Sequence, residues 1–280
     1  MTEVEIFPAA GRFVTHGQTA GVEEHGGAGL SGIQTRHSFA FGAHYDPKNT
    51  GFGLLVAHND EHLEPGAGFD MHPHRDAEII TWVVEGTIRH IDSLGHDTLL
   101  APGTVQWQGA GGGIVHSERN ASADRPARFV QVWLTPDEFG LAPGYASAQV
   151  KLETNMLTLL AGGALGQAEA EATVTAEATV TAGFEDEQDP SAGEPDLPLR
   201  IRQRHAALYG TRLEGGGAVE LEPAPYTHVF VVSGVVRIEE DPLESGDAAR
   251  IVGEGALLQC LDDAEVLIWQ MQKSTRDLLA

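Results

Sequence analysis

Residues 66–86 read GAGFDMHPHRDAEIITWVVEG, and their pattern decides the fold. Two histidines, His72 and His74, stand two apart, a short apolar run follows over 77–85, and Gly86 closes it as a turn residue. Along an extended strand the side chains alternate between faces, so His72 and His74 can point the same way. A short apolar run bounded by turn residues reads as a strand. Working outward, similar runs occur at 52–58, 86–92, 105–108, 114–117 and 128–134. Turns fall between them at Glu64-Pro65-Gly66, Ser93-Leu94-Gly95, Ala101-Pro102-Gly103 and the five residues 109–113.

The second half repeats the scheme, with strands expected over 228–232, 235–239, 250–252, 256–261 and 264–271. Residues 229–237, VFVVSGVVR, echo residues 81–89, TWVVEGTIR, with Gly234 standing where Gly86 stands. The expected fold is all-β, two similar β-barrels in tandem, with a short helical turn over 275–279. A length of 280 residues fits two domains. Between them, 161–199 has no Lys or Arg, several acids, and two tandem copies of Ala-Glu-Ala-Thr-Val-Thr. That composition is expected to form a solvated acidic insert rather than a solenoid unit.

Composition removes several classes of function. With 17 Lys+Arg against 41 Asp+Glu the formal charge is −24, which repels phosphate backbones and anionic headgroups. Direct nucleic-acid or membrane binding is not expected. Cys260 is the single cysteine, so an internal disulfide and a Cys-x-x-Cys site are both excluded, and any metal must be held by His, Asp or Glu. The acidic start of the chain and the lack of an apolar run of about 18 residues point to a cytoplasmic protein.

Eleven of the 13 histidines precede residue 117. After the glycine turn 109–113, Ile114-Val115-His116-Ser117-Glu118 again places two potential ligands on one strand face. Either pair alone is weak evidence, since single histidines are commonly surface or core residues. Two same-face pairs in one small barrel can aim His72, His74, His116 and Glu118 at a common point. Three imidazoles and a carboxylate with open positions favour a redox-capable divalent metal over a closed structural zinc.

These residues resemble a known family. The segment 66–86 is similar to the first cupin motif. The longer texture resembles pirin and the pirin-like bacterial proteins: Arg36-His37-Ser38-Phe39-Ala40-Phe41-Gly42, Tyr45-Asp46-Pro47, His72-Pro73-His74-Arg75, Pro102-Gly103-x2-Gln106-Trp107, His116-Ser117-Glu118-x-Asn120 and Gln131-x-Trp133. The resemblance is dense over about 36–136 and thin after about 200. It implies a bicupin of two jelly-roll type barrels. Residues 1–145 would form an N-terminal metal-binding cupin domain and 161–199 the acidic linker. Residues 146–160 and 200–280 would form a C-terminal cupin domain without metal ligands. The family's iron(II) ligands fall on His72, His74, His116 and Glu118; the general cupin pattern would instead nominate Glu78. Two departures are Asp76-Ala77-Glu78, where many relatives carry glycine and then an aromatic residue or proline, and the long insert. Superposing Gly234 on Gly86 puts Glu220 and Glu222 where His72 and His74 sit, so the second barrel is expected to bind no iron, with His228 one residue out of register.

The resemblance further implies an oxygenase of the quercetin 2,3-dioxygenase kind, cleaving flavonols such as quercetin with O2. Glu118 would be its base, with Glu78 in reserve. Phe41, Trp82, Gln106 and Trp107 would line a slot for planar rings. The alternative is a non-catalytic, iron- and redox-dependent regulator acting by contact with a protein partner. Iron(II) is the expected cofactor, and the Irving–Williams order lets Ni, Cu, Zn or Mn occupy the same ligands in recombinant material. A monomer is expected, because two barrels can cover each other's edges.

Overall fold

The computed structural model describes residues 4–17, 32–42, 44–163, 179–181 and 199–279. Most of the expected insert, 164–178 and 182–198, lies outside the described residues. In the first half the described strands are β1 (Val4–Phe7), β2 (Phe13–His16), β3 (Ile33–His37), β4 (Leu55–Leu63), β5 (Gly68–His74), β6 (Glu78–Glu85), β7 (Ile88–Asp92), β8 (Asp97–Leu100), β9 (Thr104–Gly109), β10 (Ile114–Asn120) and β11 (Ala127–Leu134). There follow β12 (Gly144–Gln149), β13 (Thr158–Gly162), β14 (Thr179–Thr181), β15 (Ala206–Leu213), β16 (Ala218–Leu221), β17 (Tyr226–Ile238), β18 (Asp241–Glu244), β19 (Ala248–Ile251) and β20 (Ala256–Met271). A helix, Thr275–Leu279, ends the described chain. Among the described residues no helix is long and apolar enough to cross a membrane.

The chain divides into two compact units, one from the described residues of 13–50 and 56–145, the other from those of 1–12, 51–55 and 146–280. Sequence reading places the first residues with the N-terminal barrel. Their strand β1 instead pairs antiparallel with β19, Val4 opposite Ile251 and Phe7 opposite Ala248, inside the C-terminal unit. Of the tandem repeat, β14 is described, and it pairs with Ser147–Gln149 of β12.

In the N-terminal unit a four-stranded sheet runs β5-β10-β7-β8, and a larger sheet contains β9-β6-β11-β4-β3-β2 in that order. One end of the barrel is filled by Ile33, Leu63, Val83, Ile88, Leu100, Ala127 and Phe129. That fixes which side of β6 is interior: Val83 and, by period two, Thr81 and Ile79. Opposite Thr81 stand Gln106 of β9 and Gln131 of β11. The interior is therefore apolar at one end and polar at the other.

The C-terminal unit closes a sheet of order β1-β19-β17-β20-β15-β13, with β16 on β20 and β18 on β17. Val219, Leu221, Val229, Val231, Val236, Ile238, Val266 and Ile268 belong to its core cluster. On β16 it is thus Val219 and Leu221 that face inward, while Glu220 and Glu222 are exposed. The register inferred from the glycine echo is off by one on that strand. His228 is fully buried on the face opposite Val229, 6.4 Å from the Phe52 ring between centroids, away from the barrel interior.

The echo itself is physical. Gly86 and Gly234 both have positive φ, 74° and 79°. A Cβ on Gly86 would lie 2.6 Å from the Pro126 carbonyl oxygen, and one on Gly234 would lie 2.0 Å from that of Asp263. Each hairpin crosses its neighbour so closely that only hydrogen fits. Alanine at either position is expected to cost about 2–4 kcal/mol, from left-handed strain plus backbone displacement. Thermal unfolding of the two single variants measures it; a midpoint within about 1 °C of wild type at both positions would contradict the account.

Candidate metal centre

Strand β10 lies between β5 and β7. His116 pairs with His72 on one side and Asp92 on the other, and Glu118 pairs with Phe69 and with His90. The pairing with β5 shifts between His116 and Glu118, where two steps on β10 match three on β5. This bulge leaves Asp70 and Met71 both exposed and brings Phe69 and His72 to the same interior face, which strict alternation would separate. The loop after His74 is tied to the glycine turn before β10, through Asp76 N to Gly111 O at 2.8 Å and Ala110 N to Ala77 O at 2.8 Å. Asp76 itself has φ 50°, a conformation Asp tolerates, and its Oδ1 accepts the Gly140 amide at 2.7 Å.

These elements gather three imidazoles. Ring centroids lie 4.8 Å apart for His72 and His74, 4.5 Å for His72 and His116, and 4.7 Å for His74 and His116. One ligand atom from each lies within 4.8 Å of the other two, and His90, His116 and Glu118 make a second such triad. His116 Nε2 is 4.0 Å from Glu118 Oε2. His72 Nδ1–H donates to the Asp70 carbonyl at 2.7 Å, which leaves its Nε2 as the lone-pair nitrogen.

The cluster's unsatisfied atoms are of the kind a bound cation would engage. Nε2 of His74, both ring nitrogens of His116 and Oε1 of Glu118 are buried and have no hydrogen-bond partner. Orphaned buried polar atoms cost about 1–3 kcal/mol each, so a group of them gathered around His116 fits residues that would hold a cation. Burial pushes His74 down to about 3, helped by its neighbours His116 and His72, and pushes His116 still lower, helped by His72 and His90. Neutral imidazoles keep the lone pairs a metal requires.

Glu118 is held from behind. Its Oε2 accepts from Gln131 Nε2 at 2.7 Å; that amide also reaches Thr81 Oγ1 at 3.2 Å, and Gln131 Oε1 accepts from Trp133 Nε1 at 3.2 Å. Trp133 stands edge-on to His74 at 4.8 Å, and Phe41 packs against Trp133 at 5.4 Å. Deeper in the barrel Glu61 is fully buried and hydrogen-bonded to the Thr35 hydroxyl.

Burial raises the Glu61 carboxyl to about 8. Its unfolded counterpart ionises near 4.5, so the folded state binds the extra proton, and this contribution to stability is present below pH 4.5 and lost as pH rises to about 8. In metal-free protein, Glu61→Gln is therefore expected to leave stability at pH 4.5 little changed and to raise it at pH 8. Urea unfolding at the two pH values reads this, and equal effects at both would refute it.

The residues nominated from sequence separate into two groups. His72, His74 and His116 come from paired strands and bring one ligand atom each within 4.8 Å of the others, while Glu118 joins His116 and His90 in the second triad. Glu78 is on the other face of β6, its Oε2 accepting from Trp107 Nε1 at 2.9 Å. Trp82 and Trp107 alternate with Thr81 and Gln106 and so share that opposite face, whereas Phe41 and Gln106 stay on the site's side. Sequence reasoning gave no site role to His90, Gln131 or Trp133, although the last two stand among the residues that carry the family resemblance. The spacing of His90 and Asp92, two apart on a short strand, was the available signal for the first.

An all-β chain of two barrels, one converging histidines and a carboxylate and the other filled with hydrocarbon, defines a bicupin with a single candidate metal centre among its described residues. The chain belongs to the pirin family. Residues 20–134 match the family model described as Pirin, and residues 191–271 match the Quercetinase C-terminal cupin domain. It is 39% identical over 276 residues, 98% of this chain and 97% of the other, to a Mycobacterium bovis protein named "Putative quercetin 2,3-dioxygenase". It is 32% identical over 246 residues to the Pirin-like protein of Caulobacter vibrioides, covering 87% of this chain and 94% of that one. Among solved structures, the bacterial pirin YhhW of Escherichia coli in complex with nickel(II) superposes with a TM-score of 0.74 at 26% identity, covering 97% of this chain and all of that one.

Proposed function

We propose that this protein is an iron(II)-dependent dioxygenase that cleaves flavonols such as quercetin with O2, using His72, His74, His116 and Glu118 as ligands. The observation that carries the reading is a set of buried histidine nitrogens and a carboxylate oxygen without hydrogen-bond partners, gathered in two ligand triads that share His116, beside an aromatic wall. Relatives named for quercetin 2,3-dioxygenase activity support it. Iron(II), when bound, supplies a Lewis acid and an exchangeable position for a substrate oxygen.

The chain's own residues do the rest. Oε1 of Glu118 accepts the proton of the flavonol 3-hydroxyl, while Gln131 keeps Oε2 fixed so that the carboxylate need not reorganise. Trp133 and Phe41 offer an apolar edge against which planar rings can lie. The balance is closed: one flavonol and one O2 give one depside and one carbon monoxide. Glu78, engaged by Trp107 on the other face, leaves the base role to Glu118.

Iron-loaded protein under air is expected to bleach the quercetin absorbance band and release carbon monoxide in equal amounts. Full iron occupancy without either change would overturn the enzymatic reading and leave the redox-dependent regulator.

A further inference from the structure

We propose that His90 is a further ligand of this metal centre, which offers a cation two overlapping stations sharing His116. The outer station is His72, His74 and His116; the inner one is His90, His116 and Glu118. The inference rests on the reading of this site as a metal centre and adds a ligand to it.

Three observations carry it. The first is proximity: one ligand atom each of His90, His116 and Glu118 lies within 4.8 Å of the other two, and the rings of His90 and His116 are 5.2 Å apart. The second is the chemistry left open. His90 is fully buried, yet its Nδ1 has no partner, while Nε2 faces Asp92 Oδ2 at 3.5 Å. An imidazole backed by a carboxylate on one nitrogen, with the other nitrogen open, has the usual arrangement of a metal-ligating histidine.

The third is how firmly the ring is held. Asp92 is anchored by His96 Nδ1 at 2.8 Å and by the amides of Leu94 at 2.9 Å and His96 at 3.1 Å. Tyr145 stacks on His90 at 4.9 Å and on His96 at 4.5 Å, and its hydroxyl is 2.6 Å from Thr98 Oγ1. Such support fixes ring direction, which packing alone does not require. The stations also differ in kind. Three imidazoles form the outer one, whereas two imidazoles and a carboxylate with open positions form the inner one, the donor set of non-haem iron(II) oxygenases.

Cobalt(II), whose visible bands report coordination, tests this on the full chain. Affinity and spectrum are measured for wild type, His90→Ala, His74→Ala, the double variant and Asp92→Asn. His90→Ala is expected to weaken binding and change the bands. His74→Ala is expected to keep weakened binding that the double variant loses by a further factor of about 10 or more. Asp92→Asn, which leaves the imidazole in place, is expected to cost about 10–100-fold and decides the matter if circular dichroism shows His90→Ala unfolded. Cobalt isotherms and bands unchanged by His90→Ala, in wild type and in the His74→Ala background, or by Asp92→Asn if that variant decides, would overturn the inference while the metal centre stands. A wild type that takes up no cobalt overturns both.

Discussion

His74→Ala is expected to lower iron affinity by more than about 100-fold and to abolish quercetin bleaching. Residues that merely orient metal ligands are worth about 10–100-fold, and His74 is proposed as a ligand itself. Its Nε2 is sealed from solvent without a partner, and its neighbours His72 and His116 lie under 5 Å away between ring centroids. The metal-free fold should tolerate the change, because an unsatisfied nitrogen leaves with the ring and what is lost is its edge contacts with Trp133, His72 and His116. The clearest readout is thermal. Wild type should gain about 2.7 kcal/mol when free iron exceeds Kd 100-fold, and the variant should gain almost nothing at that concentration. Equal metal-induced stabilisation of both proteins would remove His74 from the ligand set.

Glu118→Gln is the second large effect, expected to reduce kcat/KM for quercetin by about 10²–10⁴ at saturating iron. The substitution keeps shape and an acceptor oxygen for Gln131 Nε2, which lies 2.7 Å from Oε2 in the wild type. What disappears is the negative charge and the capacity to take a proton from the substrate hydroxyl. Titrating iron in parallel separates weaker loading from slower turnover. A loss smaller than about threefold with full loading would move the base elsewhere in the barrel.

Much of the site was legible because strand geometry is local. His72 with His74, and His116 with Glu118, stand two apart, and period two follows from the covalent pleat of a single strand. Gly86 and Gly234 were equally visible, since positive φ at a crossing point forces the residue type. What one strand cannot reveal is which of its faces looks inward. Glu78, Trp82 and Trp107 carry the residue types of a site, yet they share the opposite face from Thr81 and Gln106, because Val83 and Phe129 close the core on the other side. On β16 the same ambiguity placed Glu220 and Glu222 inward by analogy, where Val219 and Leu221 fill the space.

The amino-acid sequence by itself determined the tandem all-β architecture, the two same-face pairs of potential ligands and the absence of an internal disulfide or Cys-x-x-Cys site, since each depends on residue type and spacing along a few neighbouring positions. The tertiary structure alone decided the rest: that β1 pairs with β19, that a bulge at Asp70 and Met71 turns Phe69 and His72 to one side, and that His90 and Gln131 stand beside Glu118. Those facts depend on register between strands, which is set by how the apolar faces of distant segments pack together, and a one-residue slip exchanges every inward side chain for its outward neighbour.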